Sequence, residues 1–286
     1  MSPMNNRLLV PRKTPGLLDL VPGAAAAYSL RSLSNSYAGP VVTVRRSSDD
    51  AEEDFTAAEV SDGTLAAFCG AGDAFVKQWW DQSGNARHAV APADANEPKI
   101  VDSGIVVTEE GKPALQFDGS DDYMQNAALG AVFLGADVPL SSFAVLRNTN
   151  TAAIAIVCGF GNTGTETQLL RPYYADSDGS FRIFNRDDAN ASKALDFGVF
   201  GEAQQLISSV STGTALSVWQ NGANILSGGD INLGLMTFDV FAIGALVRTS
   251  PSGYWLGTMQ ELILYKSVVS SQRELIEGNI AWGYSV

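Results

Sequence analysis

The chain has 286 residues, a formal net charge of −13, two cysteines and one histidine. A chain of this length buries about 75% of the surface its unfolded form exposes, so its core needs no cross-links, and two cysteines exclude a disulfide-rich scaffold. The acidic balance excludes a nucleic-acid groove, which draws its affinity from Lys and Arg, and three His and Cys residues fall short of the four ligands of a structural zinc site.

Residues 1–16 read as an extended N-terminal arm. Pro3, Pro11 and Pro15 break any helix and Gly16 closes the segment. Within the first 13 residues stand Arg7, Arg12 and Lys13 and no acid, while the other 15 basic and 31 acidic residues leave −16 on the remainder. A basic arm on an acidic body suits docking on an acidic partner surface, a neighbouring copy included. The plain alternative is a solvated terminus with three incidental charges. No apolar run of signal-peptide length occurs in residues 1–10, and the alanines at 24–27 are too few to span a bilayer. The expectation is assembly in the cytoplasm without a membrane partner.

From Leu17 to Val286 the sequence reads as one globular domain. Residues 17–30 suit a short helix or an irregular wrap, and residues 41–46 a strand, being β-branched and alternating. An acidic, turn-rich loop through Asp49, Asp50, Glu52, Glu53 and Asp54 follows. Residues 64–69 suit a short helix with Asp62 as its cap. Trp79-Trp80-Asp81-Gln82-Ser83-Gly84-Asn85-Ala86-Arg87-His88 then reads as strand, tight polar turn and return, and so does Leu115-Gln116-Phe117-Asp118-Gly119-Ser120-Asp121-Asp122-Tyr123. Beyond it, short strands recur between Gly, Asn, Asp and Ser clusters, at 142–147, 153–159, 168–173, 181–185, 206–211, 215–220, 240–245 and 256–265, which predicts a sandwich. Asn221-Gly222 is the strongest hairpin signal, since both turn positions favour positive φ. Ser271 and Glu274, three apart, predict a capping box opening a C-terminal helix. Leu275, Ile276 and Ile280 share one face of that helix, which is expected to cover an edge strand.

Three segments resemble the catalytic β-sandwich of the fungal-type arabinofuranosidase B family: Arg46-Ser47-Ser48-Asp49-Asp50, residues 64–69, and Trp80-Asp81-Gln82-Ser83-Gly84-Asn85, the most specific. Residues 115–123, the 218–223 hairpin and the stretch from Gly257-Thr258-Met259-Gln260-Glu261 to Ala281-Trp282 resemble the wider laminin G-like, concanavalin A-like group. The resemblance implies an all-β, concanavalin A-like jelly-roll sandwich with a short C-terminal helix. It also places the acid/base aspartate of the arabinofuranosidases in a Gly-rich turn just before a Gly-Thr strand. Here that turn is residues 243–253, and no Asp or Glu occurs between Val240 and Gln260. A retaining glycosidase needs two carboxylates about 5–5.5 Å apart, and loss of a proton donor removes about 10²–10⁴-fold of rate. The reading drawn from this is a non-catalytic relative.

The other candidates for chemistry are few. His88 stands alone and reads as a surface or rim residue, and no Ser occupies a G-x-S-x-G elbow. Asp81, Asp118, Asp121 and Asp122 suggest calcium, yet match no calcium-loop spacing and read as Asx-turn residues. No cofactor or metal is therefore expected. Cys69 and Cys158 read as buried hydrophobes or as one pair. Of the aromatics Trp79, Trp80, Tyr173, Tyr174, Trp219, Tyr254 and Trp255, the last two are favoured for glycan contact, because a Ser-Pro-Ser-Gly loop adjoins them. Missing acid/base, basic arm and laminin G-like end together resemble virion proteins of tailed bacteriophages. The expectation is a head-decoration, head-fibre or tail-fibre component, anchored by Arg7, Arg12 and Lys13 to other virion proteins. It would form a homo-oligomer whose sandwich projects toward host polysaccharide. The alternatives are a lectin-like glycan-binding module and an active arabinofuranosidase-type hydrolase.

Overall fold

The computed structural model describes residues 14–149, 153–167, 169–199 and 201–284. Strand Leu256–Tyr265 organises the first sheet. It pairs antiparallel with Leu140–Asn148 on one side, and with Ala26–Ser29 and Leu115–Asp118 on the other. Beyond Leu140–Asn148 follow Gln205–Ser211, Ala215–Gln220 and Ala223–Asp230. The second sheet runs through Met124–Asn126, Val240–Ile243, Ala155–Gly161, Leu169–Ala175, Ser180–Arg186 and Ser192–Val199, again antiparallel. Ala74–Trp79, Ala89–Val90 and Lys99–Asp102 link the two sheets along one side. The expected all-β sandwich is the observed fold.

Alternation decides which side chains fill the middle. Ala144, Leu146, Ile207 and Val218 of the first sheet meet Val157, Phe160, Ile183, Phe241 and Ile243 of the second. Phe160 lies 4.8 Å from both Phe133 and Phe241, ring centroid to centroid. Burying each such side chain contributes roughly 1.5–3 kcal/mol, so this layer dominates the stability. Asn221 and Gly222 have φ of 48° and 78°, as the hairpin signal requires, and Gln220 pairs with Ala223 across the turn.

The C-terminal helix, Arg273–Tyr284, departs from expectation in two ways. Ile276, Ile280 and Tyr284 pack on Phe143, Val145, Ile263 and Tyr265, which point outward from central strands of the first sheet. The helix therefore covers a sheet face, which is why Leu140–Asn148 is buried on both sides, and it reaches Ala27 and Ser29 of strand Ala26–Ser29 beside the central strands. Leu275, expected on the buried face, is 49% exposed. Instead of closing a capping box, Ser271 donates to Gln272 and Glu274 pairs with Arg273. Cys69 and Cys158 are both free and buried, which settles them as small hydrophobes. Burial alone pushes the Cys158 thiol far up and the Cys69 thiol to about 11, so neither is a nucleophile at neutral pH.

Candidate functional site

The signature turn is a structural device. Asp81, 2% exposed, accepts hydrogen bonds from the backbone amides of Ala27 (2.8 Å), Ser83 (2.9 Å) and Arg87 (3.0 Å) and from the Ser83 hydroxyl (2.8 Å). Gln82 accepts from the Leu33 amide and donates to the carbonyls of Ser29 and Arg31. Asn85 donates to the carbonyls of Ala24 and Ala25. The motif thus ties the segment around Ala26–Ser29 to the rest of the sandwich. His88 accepts from the Asp81 amide through Nδ1 and lies 4.4 Å from the Trp80 ring. Burial holds its pKa below the usual imidazole value, against the opposing pull of Asp81.

The second polar turn behaves likewise. Asp118 Oδ1 accepts from the amides of Ser120, Asp121 and Asp122, and Asp122 Oδ2 accepts from the Asp118 amide at 2.8 Å. These are the Asx bonds expected from the sequence. Carboxylate oxygens of Asp118, Asp121 and Asp122 lie within 4.8 Å of one another. They line a cleft of about 450 Å³ with Arg45, Phe75, Glu97 and Lys99. Burial, reinforced by Asp118, pushes Asp122 up to about 7. Burial also raises Glu97, although Arg45 bonds it at 2.8 Å.

The turn at 243–253 forms a small hairpin. Leu246 pairs with Ser252 and Val247 with Pro251, which puts Arg248 at its tip. There the Arg248 Nη1 donates to the Glu166 carbonyl (2.7 Å) and lies 3.1 Å from Glu166 Oε2. Glu166 comes from the loop that leaves strand Ala155–Gly161. The turn named by the resemblance therefore has a carboxylate against it, 82 residues away in the chain. Beside Arg248 opens a pocket of about 330 Å³, lined by Ile154, Ile156, Phe184, Arg186, Leu246 and the Ser252-Gly253 backbone region.

The favoured aromatics divide. Tyr254 is half-buried, 6.2 Å from the Tyr123 ring, and reaches solvent beside the turn. Trp255 is 0% exposed and part of the core between the sheets, so the expectation that it contacts glycan is corrected: its strand position faces inward. Arg7, Arg12 and Lys13, and the side chain of Tyr173, lie outside the described residues.

Two antiparallel sheets packed face to face are a fold that this chain shares with solved structures. Residues 19–138 match the family described as alpha-L-arabinofuranosidase B, catalytic. Three solved structures superpose on 90% of the chain. They are an arabinofuranosidase complexed with arabinofuranosyl-α-1,2-xylobiose (TM-score 0.68, 15% identity), a GH54 α-L-arabinofuranosidase soaked with a cyclic sulfate inhibitor (0.67, 16%), and a mutant of a GH54 α-L-arabinofuranosidase soaked with 4-nitrophenyl α-L-arabinofuranoside (0.69, 17%). The chain spans 62% of the length of each. No curated protein matches the sequence.

These findings correct two expectations. A phage virion component was inferred from the missing acid/base and the basic arm. The matched family and the superposed structures are arabinofuranosidases, and none of them carries a link to a virus particle. The non-enzymatic reading falls with it, since a family of catalytic domains points to an enzyme. The stretch 243–253 without an acid carried that reading, and the family match outweighs it.

Proposed function

We propose that this domain is a glycoside hydrolase acting on arabinofuranosyl-bearing glycans. The observation that carries the reading is the meeting of the 243–253 turn with Glu166 through Arg248. The match of residues 19–138 to the arabinofuranosidase B catalytic family supports it. In the first step a Glu166 oxygen attacks the anomeric carbon while the bond to the leaving oxygen breaks. In the second, water attacks the same carbon, the glycosyl ester opens, and the water's proton is released. Arg248, itself in the pocket lining, holds Glu166 through both steps.

The turn supplies no acid, so the leaving group decides the rate. A nitrophenolate departs unprotonated, whereas a sugar alkoxide needs a proton, and the second class is expected to react about 10²–10⁴-fold more slowly. The test is release of nitrophenol from 4-nitrophenyl α-L-arabinofuranoside by the intact chain and by Glu166→Gln. Turnover abolished by the substitution supports the reading; turnover that survives it, or none in the intact chain, overturns it. A second reading, glycan binding without turnover, is favoured by Arg248 standing in the turn where the resemblance implies a proton donor. Saturable binding of an arabinofuranosyl oligosaccharide without nitrophenol release would identify that case.

A further inference from the structure

We propose that the pocket beside Arg248 receives the carboxylate of an acidic sugar, so that the glycan engaged here carries uronic acid residues. The inference deepens the preceding reading and rests on it for the location of the sugar. The pocket lies on the outer face of the second sheet. Ala155 and Val157 point into the core, and Ile156 between them points out, into a separate cluster with Tyr174, Leu246 and Phe184. Phe184 and Arg186 are two apart on strand Ser180–Arg186, hence on the same face, with the Arg186 guanidinium carbon 5.2 Å from the Phe184 ring centroid.

The two arginines that line this pocket are incompletely satisfied. Arg31, Arg45, Arg46, Arg147, Arg182 and Arg273 each hold a carboxylate, as expected in a chain of net charge −13. Among the described residues, the Arg186 side chain has neither an ion-pair nor a hydrogen-bond partner, and its recorded contact is the Phe184 ring. Arg248 spends Nη1 on Glu166, while its Nε is buried without an acceptor. The buried Nε is out of a ligand's reach, so Arg248 frames the pocket and the guanidinium open to a ligand oxygen is that of Arg186. A free guanidinium bordering an apolar floor matches a ring carrying a planar carboxylate. The carboxylate accepts the forked donors, and the ring lies on Ile156, Phe184 and Leu246. A pocket of about 330 Å³ has room for such a ring.

The experiment is titration calorimetry at low salt with trigalacturonate, its methyl ester, and a trisaccharide without carboxylates that is sulfated once per residue. The acid is expected to bind about tenfold more tightly than the ester, the worth of a hydrogen bond to a charged group. Arg186→Gln brings acid and ester to the same affinity. Arg186→Lys, which keeps the charge and loses the planar fork, retains an intermediate preference. Equal binding of acid and ester by the intact chain, or an undiminished preference in folded Arg186→Gln, overturns the proposal. Sulfated sugar bound as tightly as the acid overturns the assignment to a carboxylate. The acid-over-ester ratio is read without turnover, so it stands or falls separately from the nitrophenol assay.

Discussion

Asp81→Ala tests whether the signature turn is structural. The substitution removes one carboxylate and leaves three backbone amides, those of Ala27, Ser83 and Arg87, without their acceptor, at a site only 2% exposed. The Ser83 hydroxyl can turn to another partner, so it adds little. An unsatisfied buried donor costs about 1–3 kcal/mol; with local relaxation letting water reach one of the three, the expected loss is about 4 kcal/mol. For a domain of this size that lowers Tm by about 10 °C. Asp81→Asn keeps one acceptor oxygen for Ala27 and Ser83 and is expected to lose about half as much. Urea unfolding followed by tryptophan fluorescence is the measurement, because Trp79 and Trp80 flank the site. The expected signature is a lower midpoint at unchanged slope. A loss below about 0.5 kcal/mol for Asp81→Ala, the range of an ordinary surface substitution, would refute the reasoning.

Three further outcomes are expected. Glu261→Ala leaves Arg31 without its two-pronged partner (2.8 and 2.9 Å) and the Ser29 hydroxyl without its acceptor, at a site where Glu261 is fully buried. Breaking such a pair costs about 3–5 kcal/mol, read as a fall in urea midpoint, and Glu261→Gln should recover part of it. The Asp122 carboxyl sits at about 7 in the folded chain against an ordinary 3.8. Between those values the folded state holds a proton the unfolded state has lost, so this group's contribution is full at low pH and disappears as pH rises through about 7. Thermal scans should therefore show Tm falling more between acid and mildly alkaline buffer for the natural chain than for Asp122→Asn. Gly222→Val places a β-branched residue at φ 78° and is expected to cost about 1–2 kcal/mol in urea unfolding, and Asn221→Gly, which removes the acceptor of the Leu206 amide (2.8 Å) and a donor to Gln205 Oε1 (2.6 Å), is expected to cost about as much.

Local rules were legible in the sequence where local chemistry suffices. Asn221-Gly222, the Asx bonds of Asp118 and the short helix Thr64–Cys69 each depend on residues within a few positions, and each formed, although Gly63 and not Asp62 takes the helix's N-cap position. The C-terminal helix was legible as a helix, but its docking was not. A face bearing Leu275, Ile276 and Ile280 does not tell whether an edge or a sheet face lies beneath, and Leu275 proved to be on the wrong side of the boundary. Trp255 shows the same limit: loop residues before it suggested exposure, while the register of strand and turn turned its indole inward.

The sequence by itself determined the class of this protein. Alternating apolar strands, polar turns and the Asp81-Gln82-Ser83-Gly84-Asn85 motif leave a large β-sandwich as the arrangement that buries the apolar faces and satisfies the turn amides. The tertiary structure decided the candidate site. Glu166, Arg186 and Arg248 come from three separate segments, and a carboxylate in a loop carries no mark in sequence of the turn it will face. Sandwich topology brings distant strand ends to one rim, so an apparently empty turn can meet its charged partner only once both sheets are in place.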